Sequence, residues 1–214
     1  MGDQAGTDVP AFVLGLIQES MMQSVSISVL TICGIEELPG HAARSVTHVL
    51  SVIDPETPDP EAFGTYAPHD RTLLRFHDII EEKPGMIMPQ SGHVEEILGF
   101  GEKLAGSCDS RTDGHLLVHC HMGVSRSTAA MMTLMAQAQP DASEDELFHR
   151  LAMIRPQAWP NSVMIGYADA YLGRKGRLSA ALTRHYGRQL QKDPSIGEWM
   201  TELGRAREVE MALY

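Results

Sequence analysis

The chain of 214 residues contains only three cysteines, Cys33, Cys108 and Cys120. Three cysteines cannot form the even disulfide framework of small secreted proteins, so the sequence predicts a reducing, cytoplasmic location.

Long hydrophobic runs are also missing. The apolar stretch at residues 9–17 is interrupted by Gln18 and is too short to span a membrane. No basic region precedes it, as a signal peptide would require.

Basic residues are scarce as well. The chain has 17 Lys and Arg against 28 Asp and Glu, which gives a formal net charge of −11 and a pI of about 5.3. An acidic protein of this kind binds nucleic acid or an anionic membrane surface poorly, so neither is expected as a partner. A site for a phosphorylated ligand would have to be built locally, from backbone dipoles and individual arginines.

One segment, HCHMGVSRS at residues 119–127, predicts such a local site. It follows the apolar run 116–118 and precedes the helix-forming run 127–137, so a strand, a tight loop and a helix start are expected. Loop N–H groups at the positive end of a helix form an anion cradle. Arg126 would hold two oxygens of a phosphate, and the positive field would favour the nucleophilic thiolate of Cys120. The predicted phosphate-binding residues are His121, Met122, Gly123, Val124, Ser125 and Arg126.

The pattern His-Cys-x5-Arg-Ser resembles the signature of the cysteine-dependent protein tyrosine phosphatases, and the small dual-specificity branch fits best. The resemblance covers roughly residues 25–173. It implies that Cys120 is the nucleophile of a phosphocysteine intermediate and that Arg126 binds the phosphate. It also implies that His119 stabilises the thiolate and that Ser127 assists the cysteine as a leaving group. No cofactor is implied.

The same resemblance requires an aspartate on a loop after an earlier strand, as the proton donor for the leaving oxygen. Asp78, in the segment RFHDI, occupies that place. It lies 42 residues before Cys120, whereas small relatives leave about ten fewer. Turns at residues 82–85 and 106–114 would absorb the excess. Asp54 and Asp70 remain as rivals, and Glu81 and Glu82 are weaker ones.

A second element, RPQAWPN at residues 155–161, is similar to an Arg…Pro-Asn segment in the dual-specificity enzymes, closest to a bacterial branch of predicted tyrosine phosphatases. By that resemblance Asn161 supports the site by bracing the phosphate loop. The alternative for Asn161 is a helix N-cap after a proline, and both roles are compatible. Arg155 is expected to be a structural ion-pair partner.

The order of elements predicts an α/β fold, with a central, mostly parallel sheet of four to five strands flanked by helices and a phosphate loop between a strand and a helix. Strands are predicted at residues 25–33, 46–53, 71–77 and 116–119. Helices are predicted at residues 38–44, 89–104, 127–137 and 161–172. A further helix is predicted to begin after Ser143, which would be its N-cap, with Glu146 completing a capping box. The predicted organisation is a lead-in at residues 1–24, a phosphatase domain at 25–173 and a polar helical extension at 174–214.

Three further hypotheses compete with the simplest interpretation. His115, His119 and His121 beside Cys120 suggest zinc, but no second cysteine is near in sequence, so no metal is predicted. Hydrolysis of phosphotyrosine, with or without phosphoserine and phosphothreonine, is favoured over hydrolysis of phosphoinositides or other non-protein phosphates. Lipid-directed relatives carry lysines inside the loop, whereas residues 121–125 of this chain include none. A non-catalytic phosphate-binding module is the third. The physiological substrate, the tyrosine selectivity, the oligomeric state and the role of the extension are not encoded in any motif.

The cysteines also suggest a redox hypothesis. Thiolates are readily oxidised, and a nearby thiol can rescue the product as a disulfide. Cys33 ends the first predicted strand, on the edge where the phosphate loop is expected, whereas Cys108 precedes the fourth strand at the other edge. Cys33 is therefore the candidate partner of Cys120, and a small buried core residue is the alternative.

Overall fold

The computed structural model describes residues 27–106 and 114–213. Within them a four-stranded sheet contains β1 (Ile27–Cys33), β2 (His48–Ile53), β3 (Asp70–Arg75) and β4 (Gly114–His119). The strand order is β1-β4-β2-β3 and every pairing is parallel. The predicted α/β fold with a parallel sheet is confirmed. The predicted start of the first strand at Val25 lies outside the described residues.

Seven α-helices follow or separate the strands in the described part of the chain. They are α1 (Ser91–Gly106), α2 (Arg126–Ala138), α3 (Glu144–Ile154), α4 (Ser162–Tyr171), α5 (Arg177–Lys192), α6 (Ser195–Glu202) and α7 (Ala206–Glu210). Two short 3₁₀ helices, Ile35–His41 and Glu61–Thr65, lie between the strands. None of these helices is long and apolar enough to cross a membrane.

The two faces of the sheet bury different partners. Alternate residues of β4, Leu116 and Val118, join a large hydrophobic core with α1 to α5. Leu117, between them, belongs to a smaller cluster with Leu38, with Phe63 of the second 3₁₀ helix and with Tyr66, which directly follows that helix. Every residue of helix α2 from Arg126 to Ala136 is buried, so this part of the helix has no exposed face. A helix that is buried on all sides is fixed by packing, which gives the residues at its N-terminus a rigid base.

Local sequence explains where three of the helices begin. Ser143 caps α3 by accepting a hydrogen bond from the backbone N–H of Glu146, and Asn161 caps α4 through the N–H groups of Val163 and Met164. Both N-caps agree with the prediction. The short helix expected at residues 38–44 is instead the 3₁₀ helix at 35–41, whose entry is fixed by a 2.6 Å hydrogen bond from Gly34 N–H to the Glu37 side chain.

The segment after residue 173 packs into the main core. Apolar residues of α5 recur at helical spacing, and its aromatic member Tyr186 stacks on Trp159 with ring centroids 4.2 Å apart. The end of the segment also contacts α5, because Leu213 N–H donates to the carbonyl of Thr183. These helices therefore belong to the same packed unit as the sheet, although the sequence suggested a polar extension.

Candidate active site

The predicted loop lies at the carboxyl edge of the sheet. Cys120 directly follows β4, whose last residue, His119, is in register with Cys33 of β1 and Ser51 of β2. Asp54 follows β2 at the same edge, and Asp78 comes shortly after β3. In open parallel sheets ligands bind at this edge. The fold thus brings Cys120, the predicted nucleophile, and Asp78, the predicted proton donor, to the same edge of the sheet.

The loop carbonyls turn outward, because each from His121 to Ser125 accepts a hydrogen bond from a group around the loop. His121 O accepts from the N–H of Ile35, and Val124 O accepts from the N–H of Trp159, both over 2.9 Å. Arg155 donates to two further carbonyls, those of Met122 and Gly123. Ser125 O accepts from Ala129 N–H within the first turn of α2.

The backbone N–H groups of residues 121–126 consequently face the other way, and they donate no hydrogen bond to any part of the chain that the structure describes. Gly123 permits this curl, with φ of +69°; a Cβ there would lie 2.5 Å from the carbonyl carbon of Cys33. Buried N–H groups without partners are costly. Their concentration at the N-terminus of α2 is the arrangement that anion-binding loops have, and binding of an anion here stays a prediction.

Cys120 lies at the start of this loop and is 2% exposed. Its Sγ is 3.2 Å from Oγ of Ser127, in the first turn of α2. A hydroxyl at this distance can donate a hydrogen bond to a thiolate. Ser127 thus lies within hydrogen-bond distance of the cysteine, and its assistance to a departing sulfur stays a prediction.

His119 is buried and hydrogen-bonds through Nε2 to Oγ of Ser51 over 2.7 Å. Burial, together with the positive charge of Arg71, lowers the pKa of His119 to about 4. The imidazole is therefore neutral near pH 7 and supplies no positive charge to the sulfur. Any stabilisation of a thiolate by His119 therefore does not come from a positive charge on its ring.

The guanidinium of Arg126 is 3% exposed and shared among several groups. Its Nη1 donates to Oδ1 of Asp54 over 2.6 Å and to the carbonyl of Phe76. Its Nη2 is 2.8 Å from Nδ1 of His121, whose Nε2 hydrogen-bonds to Thr57. Nε is buried and has no partner among the described residues. Asp54 therefore orients one side of the guanidinium and leaves Nε available to an anion.

Asp78 is held against the loop by three donors that share its Oδ1. These are Ser125 Oγ at 2.8 Å, Asn161 Nδ2 at 2.9 Å and Arg205 Nη1 at 3.0 Å. Oδ2 accepts no hydrogen bond from the described residues, and 28% of the side chain is exposed. Burial alone would raise the pKa of Asp78, but the positive charges of Arg205 and Arg126 and the two neutral donors outweigh it and lower the pKa.

Asn161 and Arg155 support the site in ways that differ from the prediction. The side-chain amide of Asn161 donates to Asp78 and to the carbonyl of Ile79, so it braces the aspartate and caps α4 but forms no hydrogen bond with residues 120–126. Arg155 forms the expected ion pair, with Glu37 at 2.9 Å, and it also donates to the two loop carbonyls. The direct brace of the loop is thus Arg155.

Other candidates lie away from the chemistry. Asp70 begins β3 at the opposite edge of the sheet and faces His48 at 3.6 Å. Glu81 and Glu82 are exposed on the surface. The histidines considered for zinc are engaged separately: His115, for example, bonds to Thr31. No group of three potential metal ligands is found in the ranges 27–106 and 114–213.

The two described cysteines are free and buried. Burial, with the nearby negative charge of Glu37, raises the pKa of Cys33 to about 12, so Cys33 stays a protonated and weakly nucleophilic thiol. Its backbone packs against Gly123 of the loop. A disulfide between Cys33 and Cys120 stays a prediction, and Cys108 lies outside the described residues.

Two residues near the site, Arg205 and Glu208, were not predicted from the sequence. Arg205 contacts Asp78 from the C-terminal helices, and Glu208 is fully buried and lies 2.6 Å from the arginine. The helical spacing of apolar residues in α5 would have indicated that this segment packs on the core. No local pattern marks one arginine among several as a contact of the site.

Comparisons with solved structures identify the fold. The chain has the fold of the dual-specificity and tyrosine phosphatases. It resembles human DUSP28 (TM-score 0.50, 20% identity) and the human tyrosine phosphatase-like serine/threonine/tyrosine-interacting protein (TM-score 0.51, 16% identity), each match covering 71% of this chain and 95% of the other. A mouse putative dual specificity phosphatase complexed with zinc tungstate matches with TM-score 0.50 and 22% identity, over 72% of this chain and 87% of that one.

No protein-family model and no curated protein matches the sequence. The resemblance to the cysteine-dependent phosphatase superfamily is confirmed for the fold. The bacterial branch stays a prediction.

Proposed function

We propose that the protein is a cysteine-dependent protein phosphatase that hydrolyses phosphotyrosine, with phosphoserine and phosphothreonine as further substrates. The observation that carries this proposal is the loop at residues 120–126: its carbonyls from residue 121 to 125 are all bound from outside, while its N–H groups and Nε of Arg126 have no partner within the described residues. A tetrahedral oxyanion bound in the loop would accept hydrogen bonds from donors of this kind. Cys120 lies at the same place, so the bound phosphorus would meet a sulfur nucleophile.

The reaction would proceed in two balanced steps. Cys120 Sγ attacks phosphorus and forms the S–P bond, while the bond from phosphorus to the leaving oxygen breaks and Asp78 donates its proton to that oxygen. Water then attacks the phosphocysteine, Asp78 takes a proton from the water, and the S–P bond breaks with the Ser127 hydroxyl hydrogen-bonded to the departing sulfur. Neither step requires a metal or a redox partner. The exposed part of Asp78, with its unbound Oδ2, fits both proton transfers.

Substrate binding would help to protonate Asp78. In the free protein Arg126 and Arg205 favour its ionised form. A phosphate dianion on Arg126 would cancel that arginine's effect and add negative charge nearby, so the pKa of Asp78 would rise in the complex. The ratio kcat/KM depends on the protonation state of the free enzyme, in which the pKa of Asp78 is lowered. We therefore expect kcat/KM to fall as the pH rises through that pKa, because Asp78 loses the proton it must donate, and the optimum is expected to be acidic.

Two alternatives remain distinct from this proposal. Phosphoinositide hydrolysis is disfavoured because residues 121–125 contain no lysine that would meet a second phosphate. A non-catalytic binding module is the other alternative for this fold, since one of the similar structures is described as phosphatase-like. The presence of Cys120, Arg126 and Asp78 in one site favours catalysis instead.

The decisive experiment compares hydrolysis of phosphotyrosine, phosphoserine and phosphothreonine peptides with hydrolysis of phosphoinositide micelles. We expect release of phosphate from the phosphotyrosine peptide and a trapped intermediate on Cys120 that carries the mass of one phosphoryl group. Cys120→Ser should abolish turnover and retain tungstate binding, because the cradle consists of backbone and Arg126. Cys33→Ala, which removes the other buried thiol at this edge, is the matched control and should keep turnover. Turnover by Cys120→Ser within tenfold of wild type would refute the covalent mechanism.

A further inference from the structure

Arg205 lies between α6 and α7, 127 positions after Asp78 in the chain, yet it contacts the aspartate directly. Its Nη1 donates to Asp78 Oδ1 over 3.0 Å and to Ser125 Oγ over 2.9 Å. Ser125 Oγ in turn donates to the same Oδ1 over 2.8 Å. These three side chains form a closed triangle that joins the phosphate loop, the aspartate and the C-terminal helices.

Glu208 fixes the position of this arginine. The two side chains are 3% and 0% exposed, and Oε2 of Glu208 is 2.6 Å from Nη2 of Arg205. Glu208 also accepts hydrogen bonds from Trp159 Nε1 at 2.8 Å and from the backbone N–H of Ser162 at 2.7 Å. Buried charges persist only when they are paired and hydrogen-bonded, so this carboxylate determines where the guanidinium stands.

Arg205 is a different cation from Arg126, the arginine expected to bind the phosphate. Its Nη1 donates to Asp78 and Ser125, and its Nη2 is ion-paired with Glu208 without a hydrogen bond, while Nε has no partner among the described residues. We expect a phosphate bound by Arg126 to neutralise that arginine and leave Arg205, which is already paired with two carboxylates, in its charged form. Both arginines lower the pKa of Asp78 against the effect of burial. The charged and titratable groups that face Asp78, directly or through these arginines, are Arg126, His121, Asp54, Arg205, Glu208 and Tyr186.

We propose that Arg205 is a positioning residue for the general acid, and that the C-terminal helices thereby form part of the active site. This inference rests on the proposed phosphatase function. Ser125 and Asn161 reach the same Oδ1 but are neutral; among the described residues, Arg205 is the cation bonded to that oxygen. With Oδ1 held by three donors, Oδ2 carries the proton toward the leaving oxygen.

The test uses the full chain with the double variant Arg205→Met/Glu208→Gln, which removes the buried pair without leaving one charge alone. The pH dependence of kcat/KM is measured on two aryl phosphates, one with a high and one with a low leaving-group pKa. We expect kcat to fall about tenfold or more on the first substrate and less than about twofold on the second, which needs no proton. The descending limb of the profile should move to higher pH, because the lost cation no longer favours ionised Asp78.

Two single variants sharpen the result. Glu208→Gln leaves Arg205 uncompensated and should move the same limb to lower pH, opposite to the double variant. Arg207→Met removes an exposed arginine of α7 and should leave the profile unchanged. If the double variant fails to fold, Arg205→Lys replaces it: the limb should stay near its wild-type position while kcat on the first substrate falls, and a wild-type kcat would overturn the proposal.

The outcomes separate this inference from the proposed function. Equal losses of kcat on both substrates with an unmoved limb would make Arg205 a purely structural residue and overturn the inference. If wild type hydrolyses no phosphomonoester, the proposed function fails. In that case the carboxyl carbon of Asp78, titrated by NMR with and without the Arg205→Met/Glu208→Gln change, still decides: an unchanged midpoint overturns the inference, and a higher midpoint supports the contact.

Discussion

At the scale of single residues, the guanidinium of Arg126 is held in place by neighbouring groups and still has one N–H group that the described residues leave free to bind a ligand. Asp54 and the carbonyl of Phe76 hold Nη1, while Nε has no partner among the described residues and Nη2 contacts His121. A planar fork can present one edge to a structural carboxylate and another to a ligand, which an ammonium group cannot do. The geometry thus makes a specific demand for arginine at this position.

Arg126→Lys should therefore weaken vanadate binding by roughly tenfold to a hundredfold, since each lost charge-assisted hydrogen bond is worth about 1.5–3 kcal/mol. Calorimetric titration with vanadate measures the change. Arg188→Lys, on the exposed side of α5, is the matched control and should bind vanadate as wild type does. Normal vanadate affinity in Arg126→Lys would show that the anion is bound elsewhere.

Asp78 provides the second prediction at this scale. Asp78→Asn keeps the shape and an acceptor oxygen but has no acidic proton, so kcat on phosphotyrosine should fall by roughly 10²–10⁴. A substrate with a low leaving-group pKa should be affected much less. Steady-state kinetics on both substrates measure the difference, with the exposed Asp141→Asn as control. Equal losses on both substrates would shift the acid role to Asp54.

At the scale of elements, the phosphate loop depends on contact with the end of β1. Close backbone approach explains why glycine is required at two points: a Cβ on Gly123 would lie 2.5 Å from Cys33 C, and one on Gly34 would lie 2.7 Å from His121 O. Backbone meets backbone here, so no side-chain rotation relieves the overlap. The curl of the loop is therefore set by packing against β1 as much as by the helix that follows.

Gly123→Ala should distort the loop, because it adds a clash to a residue with φ of +69°. We expect loss of most tungstate binding and a lower free energy of unfolding, by about 1–3 kcal/mol. The matched control is Gly166→Ala in α4, where an added Cβ meets nothing within 4 Å. That change should stabilise the helix by about 0.5–1 kcal/mol. Tungstate binding by Gly123→Ala equal to that of the control would contradict the assigned geometry.

The elements also show which features a sequence can predict. The loop was predictable because its residues are contiguous and flanked by a strand and a helix. The strand order β1-β4-β2-β3 was not, because it depends on where each crossover packs. Asp78 could be proposed from its place after β3, but its donors Asn161 and Arg205 come from 83 and 127 positions away. Contacts over such separations leave no periodic or local signal.

At the scale of the whole molecule, buried neutral histidines connect stability to pH. Burial lowers the pKa of His119 and of His185 to about 4, against about 6.5 in an unfolded chain. Between these two pKa values the unfolded state binds more protons than the folded state. The contribution of these histidines to the free energy of unfolding is therefore fully present above about pH 6.5 and is lost as the pH falls toward 4. The acidic range that favours the proton donor therefore also weakens the fold.

The urea midpoint should accordingly decrease from pH 7 to pH 5. His185→Gln should flatten this dependence, since the titrating group that stacks on Phe148 is removed. His149→Gln, at an exposed position of α3, should keep the wild-type slope. A slope in His185→Gln equal to that of wild type would show that His185 does not contribute to the acid sensitivity.

The distance along the chain between the two arginines has a consequence for protein synthesis. Arg205 follows Arg126 by 79 positions. At about 5–20 residues per second, a ribosome needs roughly 4–16 s to travel from one codon to the other. During that interval the nascent chain already contains Cys120 and Arg126, but Asp78 lacks its ion-pair partner Arg205. On the proposed function, a newly made molecule would complete the surroundings of its general acid only after the C-terminal helices have been translated and have docked.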